Sequence, residues 1–290
     1  MKVVSVCVDD HANFMYNHHI GLGMNRVDSY CYKLNPHPFK YEREATLTTL
    51  EGLKELKADV FIIFHSDYEL RPYINGPVVY YHTGTKFRQN STNIIYHTDD
   101  AIMSLIALPE FHNIGLKNQR YLIGSVEEHH TSRYVKGNVF GHFPSNPSVK
   151  GTGQILEWFD SVGVDYKLDA TTVPYPSHIK RMDECDIYVE LFNPNQGNKV
   201  YGSFGMTALE AAQLGKVVIT QNLTGMNLYM NTYGECELEI GNTAEQFKQL
   251  IRRYKDANVQ EKSERTIQWF NEKHSQRATG LRLKRLLERV

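Results

Sequence analysis

Apolar positions along this chain collect into short runs, separated by longer stretches with helical spacing. The runs are Val3–Val8, Ser29–Leu34, Asp59–His65, Val78–His82, Asn93–His97, Tyr121–Val126, Val139–Phe143, Asp165–Leu168, Ile187–Phe192, Lys216–Thr220 and Cys236–Ile240. Several are continuous, as in Val60-Phe61-Ile62-Ile63-Phe64. A strand with one wet face alternates apolar and polar residues, so unbroken runs predict parallel strands covered on both sides. Between them, Glu42–Lys57 repeats Leu47, Leu50, Leu53 and Leu56 at near-helical spacing, and Gly153–Val162 puts Ile155, Leu156 and Phe159 on one side. Everything after Thr243 reads as helix, ending in Leu281-Arg282-Leu283-Lys284-Arg285-Leu286-Leu287. Strand–helix alternation on this scale predicts an α/β protein of doubly wound parallel sheets. The alternation breaks over Glu127–Asn138, which places a domain junction there. The expected division is a first domain over 1–135, a second over 136–275, and a final helix over 276–290 packing near the junction.

Composition narrows the function classes. A chain of 290 residues is long enough for two α/β cores, and 41% hydrophobic with 22% charged residues is an ordinary globular balance. A net charge of -1 gives no general attraction to nucleic acid or anionic lipid. No apolar run approaches the ~20 residues that span a bilayer. The opening Met1-Lys2-Val3-Val4-Ser5-Val6-Cys7-Val8 reads as a first strand and not as a signal peptide. Cys7, Cys31, Cys185 and Cys236 stand far apart with no C-x-x-C pair, which suits reduced thiols and a cytoplasmic location.

The richest segment is Tyr201-Gly202-Ser203-Phe204-Gly205-Met206-Thr207-Ala208-Leu209-Glu210-Ala211-Ala212-Gln213-Leu214-Gly215, followed by the strand Lys216–Thr220. A glycine turn opening a helix points backbone N–H groups outward at the positive end of the helix dipole, an arrangement suited to a diphosphate. Glu210, a turn or so into the helix, could accept hydrogen bonds from ribose hydroxyls. The plain alternative is a packed helix with Glu210 on its wet face. A second segment, His142-Phe143-Pro144-Ser145-Asn146-Pro147-Ser148-Val149-Lys150-Gly151-Thr152, runs from a strand into a helix, and Lys150 sits at the mouth of that helix. An ammonium on a flexible stem reaches a phosphate as a point charge. Both segments follow strand C-termini, where open α/β sheets bind ligands.

These two segments resemble retaining GT-B glycosyltransferases of family 4, the group 1 type. There H-x-P-S-N-x-x-x-K-G-T follows the first strand of the donor domain, and F-G-x-x-x-x-E-A-x-x-x-G-K-x-V-I recurs near its end. The similarity spans Val139 to Ile240. It implies two Rossmann-like domains facing a cleft, with a nucleoside-diphosphate sugar (UDP- or GDP-linked) as co-substrate and neither cofactor nor metal. By that resemblance Lys150 binds the donor diphosphate and is catalytic. Ser203, Gly205, Met206 and Thr207 line the diphosphate turn with Ser145 and Asn146, and Glu210 binds the ribose. Two departures stand out. A glutamate common eight residues before the one matching Glu210 is replaced by Gly202, and Pro144 and Ser145 occupy the stretch where an arginine is common.

In the N-terminal half, Val78-Val79-Tyr80-Tyr81-His82-Thr83-Gly84-Thr85-Lys86-Phe87-Arg88 is a buried strand running into a polar turn. The resemblance implies His82 facing the donor sugar, with Arg88 as a phosphate or acceptor contact; local capping by His82 is the equal alternative. His11, His18, His19, Asp9 and Asp10 lack metal-ligand spacing and are expected to face solvent. No G-x-S-x-G elbow, P-loop or G-x-G-x-x-G after the first strand is present, so hydrolase, kinase and dehydrogenase readings have no anchor. The expected activity is transfer of a hexosyl or pentosyl group to a hydroxyl acceptor with retention. The acceptor is a glycan or lipid-linked saccharide, or a hydroxymethylated base in viral DNA. A non-catalytic nucleotide-sugar-binding protein, a phosphorylase and an epimerase are the alternatives.

Overall fold

The computed structural model describes residues 1–37, 39–129, 137–196, 199–200 and 202–290. The chain divides into two compact units, Met1–Glu127 with His274–Val290, and Glu128–Lys273. The boundary expected between residues 135 and 136 lies outside the described residues, as do His130 and Tyr201 of the segments above.

The first unit runs β1 (Lys2–Cys7), α1 (Phe14–Met24), β2 (Asp28–Lys33), β3 (Thr46–Leu47), α2 (Leu50–Lys54), β4 (Val60–Phe64), β5 (Val78–His82), α3 (Gly84–His97), β6 (Met103–Ile106) and β7 (Gln119–Tyr121). Its sheet has the order β3-β2-β1-β4-β5-β6-β7, and all pairings are parallel. Continuous apolar runs became its centre: β4 and β5 are buried at every position. The long helix expected over Glu42–Lys57 is only α2, preceded by β3. Thr46, Thr48 and Thr49 are stiff β-branched residues that favour extended backbone, and the Thr49 side chain caps α2 by accepting from Gly52 N–H. Asn93–His97, expected as a strand, is the last part of α3. There Phe87 and Ile94, seven residues apart, share the buried face while Tyr96 is exposed, a helical pattern that a five-residue window does not separate from a strand. The strand expected over Tyr121–Val126 ends at Tyr121, and β6 went unanticipated.

The second unit comprises β8 (Phe140–His142), α4 (Pro147–Lys150), α5 (Thr152–Val162), β9 (Tyr166–Leu168), α6 (Tyr175–Met182), β10 (Ile187–Val189), β11 (Asn195–Gln196), β12 (Lys199–Val200), α7 (Met206–Gln213), β13 (Val217–Thr220), α8 (Met226–Tyr233), β14 (Glu239–Ile240), α9 (Ala244–Lys255) and α10 (Gln260–Lys273). Its parallel sheet has the order β14-β13-β10-β8-β9, and β11 with β12 forms a separate antiparallel ribbon. Phe140, Ile155, Phe159, Ile187, Val217, Phe247 and Ile251 fill the core between sheet and helices.

The last helix, α11 (Gln276–Leu287), belongs to the first unit and packs on α1. Two glycines allow that approach: a Cβ on Gly280 would lie 2.1 Å from the Gly21 carbonyl. Among the described residues no helix is long and apolar enough to cross a membrane.

Strand order fixes where ligands can enter. In each sheet the chain leaves one strand in both directions, β1 between β2 and β4, and β8 between β9 and β10. The connections at these reversals diverge to opposite faces and leave a crevice at the strand C-termini.

Candidate functional site

The segment after β8 is built to hold Lys150 still. Asn146 caps α4, accepting from Val149 N–H, and Pro147 takes the first helical position, where a missing N–H costs nothing. Gly151 then adopts the left-handed conformation (φ 70°, ψ 31°), letting the chain turn from α4 into α5. Any Cβ there would sit 1.9 Å from the Phe192 carbonyl oxygen, so only glycine fits. Phe192 N–H donates to the Lys150 carbonyl at 3.1 Å, and Asn193 Nδ2 donates to Ser148 and Val149 carbonyls at 3.1 and 3.0 Å. The turn after β8 is thereby stapled to the segment after β10.

Lys150 Nζ lies 2.7 Å from Glu190 Oε1 and 3.4 Å from Thr207 Oγ1. The same Glu190 oxygen accepts from Gly205 N–H at 2.9 Å and Thr207 Oγ1 at 3.1 Å, and Oε2 accepts from Thr220 Oγ1 at 2.7 Å. Glu190 is 1% exposed, directly after β10, whereas the lysine keeps one edge wet. The sequence drew together Lys150, Gly205 and Thr207, and the structure puts all three on one oxygen. It did not single out Glu190, the residue that organises them. The one signal was an acidic residue inside the apolar run Ile187–Phe192, which a buried strand end tolerates only with partners.

Gly205 caps α7 with extended backbone, so Met206 and Thr207 open the helix beside the lysine. Ser203 is buried in the preceding turn, while Ser145 and Asn146 are exposed at the turn before α4. Glu210 is not on a wet face: it is 4% exposed, with Oε2 3.6 Å from His178 Nε2. His178 Nδ1 in turn accepts from Arg181 Nε at 3.1 Å. His142, one strand from the lysine, bridges the Val189 carbonyl and the Thr152 hydroxyl, and burial pulls its pKa down to about 4. It is a neutral brace. At Gly202 a Cβ would meet Thr224 Oγ1 at 2.1 Å, so the position that departs from the family pattern has no room for a carboxylate side chain.

In the first unit His82 is fully buried at the end of β5. Its Nδ1 pairs with Ser66 Oγ at 3.0 Å, Nε2 has no hydrogen-bond partner among the described residues, and burial lowers its pKa to about 3. Arg88 is held by Glu110 at 2.6 Å with its guanidinium over the Phe111 ring. Sequence inspection put Asp10 and His18 in solvent, and both are buried. Asp10 accepts Met15 and Tyr16 N–H at 2.7 and 3.0 Å, filling the orphan donors that open α1, which is why a carboxylate survives there. His18 lies against Phe14, Phe64 and Tyr81. His65, also missed, links Asp10 (3.5 Å) to Thr83 Oγ1 (2.6 Å). It does so from a left-handed backbone (φ 56°), followed by Ser66 (φ 62°). Cys7, Asp10 and His65 each bring a ligand atom within 4.8 Å of the others, the group among the described residues that could hold a metal. Burial and the nearby Asp10 and Asp67 carboxylates push the Cys7 thiol well up, so without a cation it stays protonated.

No family model and no curated protein sequence matches the chain. Solved structures do. The Anabaena HepE protein, bound to UDP and glucose, superposes with a TM-score of 0.63 at 10% identity over 100% of both chains. An alpha-glucosyltransferase bound to UDP and a mismatched 13-mer DNA gives 0.63 at 9% identity, over 99% of this chain and 98% of that one. The sucrose-phosphate synthase of Thermosynechococcus elongatus gives 0.65 at 10% identity, over 100% and 99%. At this identity the likeness is one of fold, and the fold is GT-B.

Proposed function

We propose that the chain is a retaining glycosyltransferase that moves a hexosyl or pentosyl group from a nucleoside-diphosphate donor, UDP- or GDP-linked, to a hydroxyl acceptor. The observation that carries this reading is the cradle at the switch point of the second sheet. There an ammonium, a helix-opening N–H and a hydroxyl converge on a single anionic oxygen. That donor set fits a diphosphate oxygen. As the anomeric bond breaks, negative charge grows on the leaving diphosphate, and fixed donors stabilise it without reorganising. Lys150 supplies the charge, Gly205, Met206 and Thr207 supply the helix end, and Ser145, Asn146 and Ser203 border it. Glu210, held near His178, serves the ribose hydroxyls. In the first unit, His82 and Arg88 carry the sugar-side and phosphate or acceptor roles. Retention follows from the family resemblance, with the departing phosphate oxygen receiving the acceptor's proton and no protein nucleophile. No cofactor or metal enters the reading.

A glycan or lipid-linked saccharide is the first acceptor class. A hydroxymethylated DNA base is the second, supported by the DNA-bound alpha-glucosyltransferase among the similar folds. A non-catalytic nucleotide-sugar binder is a second reading, favoured by the lack of space at Gly202. The test is a panel of nucleotide sugars scored by thermal stabilisation and then by donor turnover with anomer-resolved product analysis. Stabilisation by UDP or GDP with turnover supports transfer; stabilisation without turnover or hydrolysis leaves a binder; an unaltered melting point across the panel ends the reading.

A further inference from the structure

The cradle already holds an anion. The Gly205 N–H and the Thr207 hydroxyl each spend their one proton on Glu190 Oε1, and the Lys150 ammonium spends one of its three there. Resting on the donor-site reading above, we propose that the donor diphosphate and Glu190 compete for this one cradle, and that donor binding places a proton on the Glu190 carboxyl group.

Lys150 and Glu190 sum to zero, so the resting cradle offers a di-anion only the partial positive end of α7. For a phosphate oxygen to take the Gly205 N–H, Glu190 must give it up, and the one positive charge of Lys150, whose ammonium can bridge both anions, no longer neutralises the carboxylate. It has nowhere to go: it is 1% exposed, and its second oxygen is tied to Thr220. The groups facing it are Lys150 from α4, Gly205 and Thr207 from α7, Thr220 from β13, His142 from β8 and the Tyr188 ring from β10. Lys150 is the only cation paired with it among the described residues. Burial holds His142 neutral and Tyr188 protonated, so neither replaces the lost charge. A buried carboxylate that must share its one counter-ion with a di-anion neutralises by taking up a proton, here from solvent. Protonated, it also becomes a donor, able to bond the phosphate oxygen that displaced it.

The experiment measures UDP and, separately, inorganic pyrophosphate binding to the wild-type chain and to Glu190→Gln. Isothermal titration is run in two buffers of different ionisation enthalpy between pH 7 and 9. Expected is uptake of about one more proton per ligand by wild type than by the variant. Wild-type affinity should fall about tenfold more per pH unit than the variant's. At pH 8 the variant should bind at least tenfold tighter. Equal proton counts, or a variant that binds more weakly at every pH, would overturn the proposal and make Glu190 a fixed anchor for Lys150. Should the variant fail to fold, the wild-type count in the two buffers decides alone: a value near zero overturns it. Pyrophosphate bound with proton uptake while UDP binds no better leaves the inference standing and removes the nucleotide reading. No binding of either ligand removes both.

Discussion

Replacing Lys150 by alanine is the obvious test of the donor site, and the structure warns that it does two things at once. It removes the proposed phosphate contact, and it leaves Glu190 buried with no counter-ion. Removing one partner of a buried ion pair costs about 3–5 kcal/mol. Glu190 retains its bonds from Gly205 N–H and the Thr207 and Thr220 hydroxyls, so the lower end, about 3 kcal/mol, is expected. Both tryptophans, Trp158 and Trp269, lie in the second unit, so tryptophan fluorescence during urea unfolding reports that unit by itself. The double variant Lys150→Ala with Glu190→Gln removes both charges of this pair, and its stability should return to within about 1 kcal/mol of wild type. Its nucleotide affinity should not return, because the cradle has lost its cation. The comparison separates a binding role from a folding role. A single variant as stable as wild type, or a double variant no better than the single, would show that the pair is not the buried unit described and refute the reasoning.

Three further expectations follow from the same geometry. His18 and His142 are held near pKa 4, and His82 near 3, by burial. These values lie below the unfolded value of about 6.5, so the stability they confer is complete above that pH and is lost as pH falls through the folded values. Each of the first two forfeits about 3 kcal/mol on the way. Fluorescence-monitored unfolding at pH 7.5 and 4.5 should show a decline in the second unit that His142→Gln reduces; an equal decline in the variant would exclude His142 as a contributor. Gly280→Ala forces a Cβ into the Gly21 backbone and should cost about 2–3 kcal/mol, read as faster proteolytic release of α11, whereas wild-type resistance would mean the helices do not pack this closely. Glu210→Ala should weaken nucleotide binding about tenfold or more, one lost charged hydrogen bond, and if only stability fell, Glu210 would be a core residue.

What could be read from the sequence was whatever is local. β5 was legible at both ends because a five-residue apolar run bounded by polar turns has one buried solution. Lys150, Gly205 and Thr207 were legible because each belongs to a contiguous turn with its own chemistry. The failures differ in cause. Thr46 to Thr49 overrode a leucine repeat, Ile94 to Tyr96 looked like a strand in too short a window, and Asp10 and His18 looked wet although Asp10 caps the start of α1 and His18 packs on Phe64 and Tyr81 from distant strands.

Periodicity, turn residues and helix caps act over a few positions, and those alone determined that this chain forms strands and helices in alternation and carries two anion-ready turns after strands. The tertiary structure decided which turns meet. Strand order set β8 beside β10, which brought Glu190, forty residues from Lys150, within 2.7 Å of its ammonium group. A charge that would be driven out to water on its own is kept inside because folding delivers its counter-ion, and nothing within a few residues of either partner encodes that meeting.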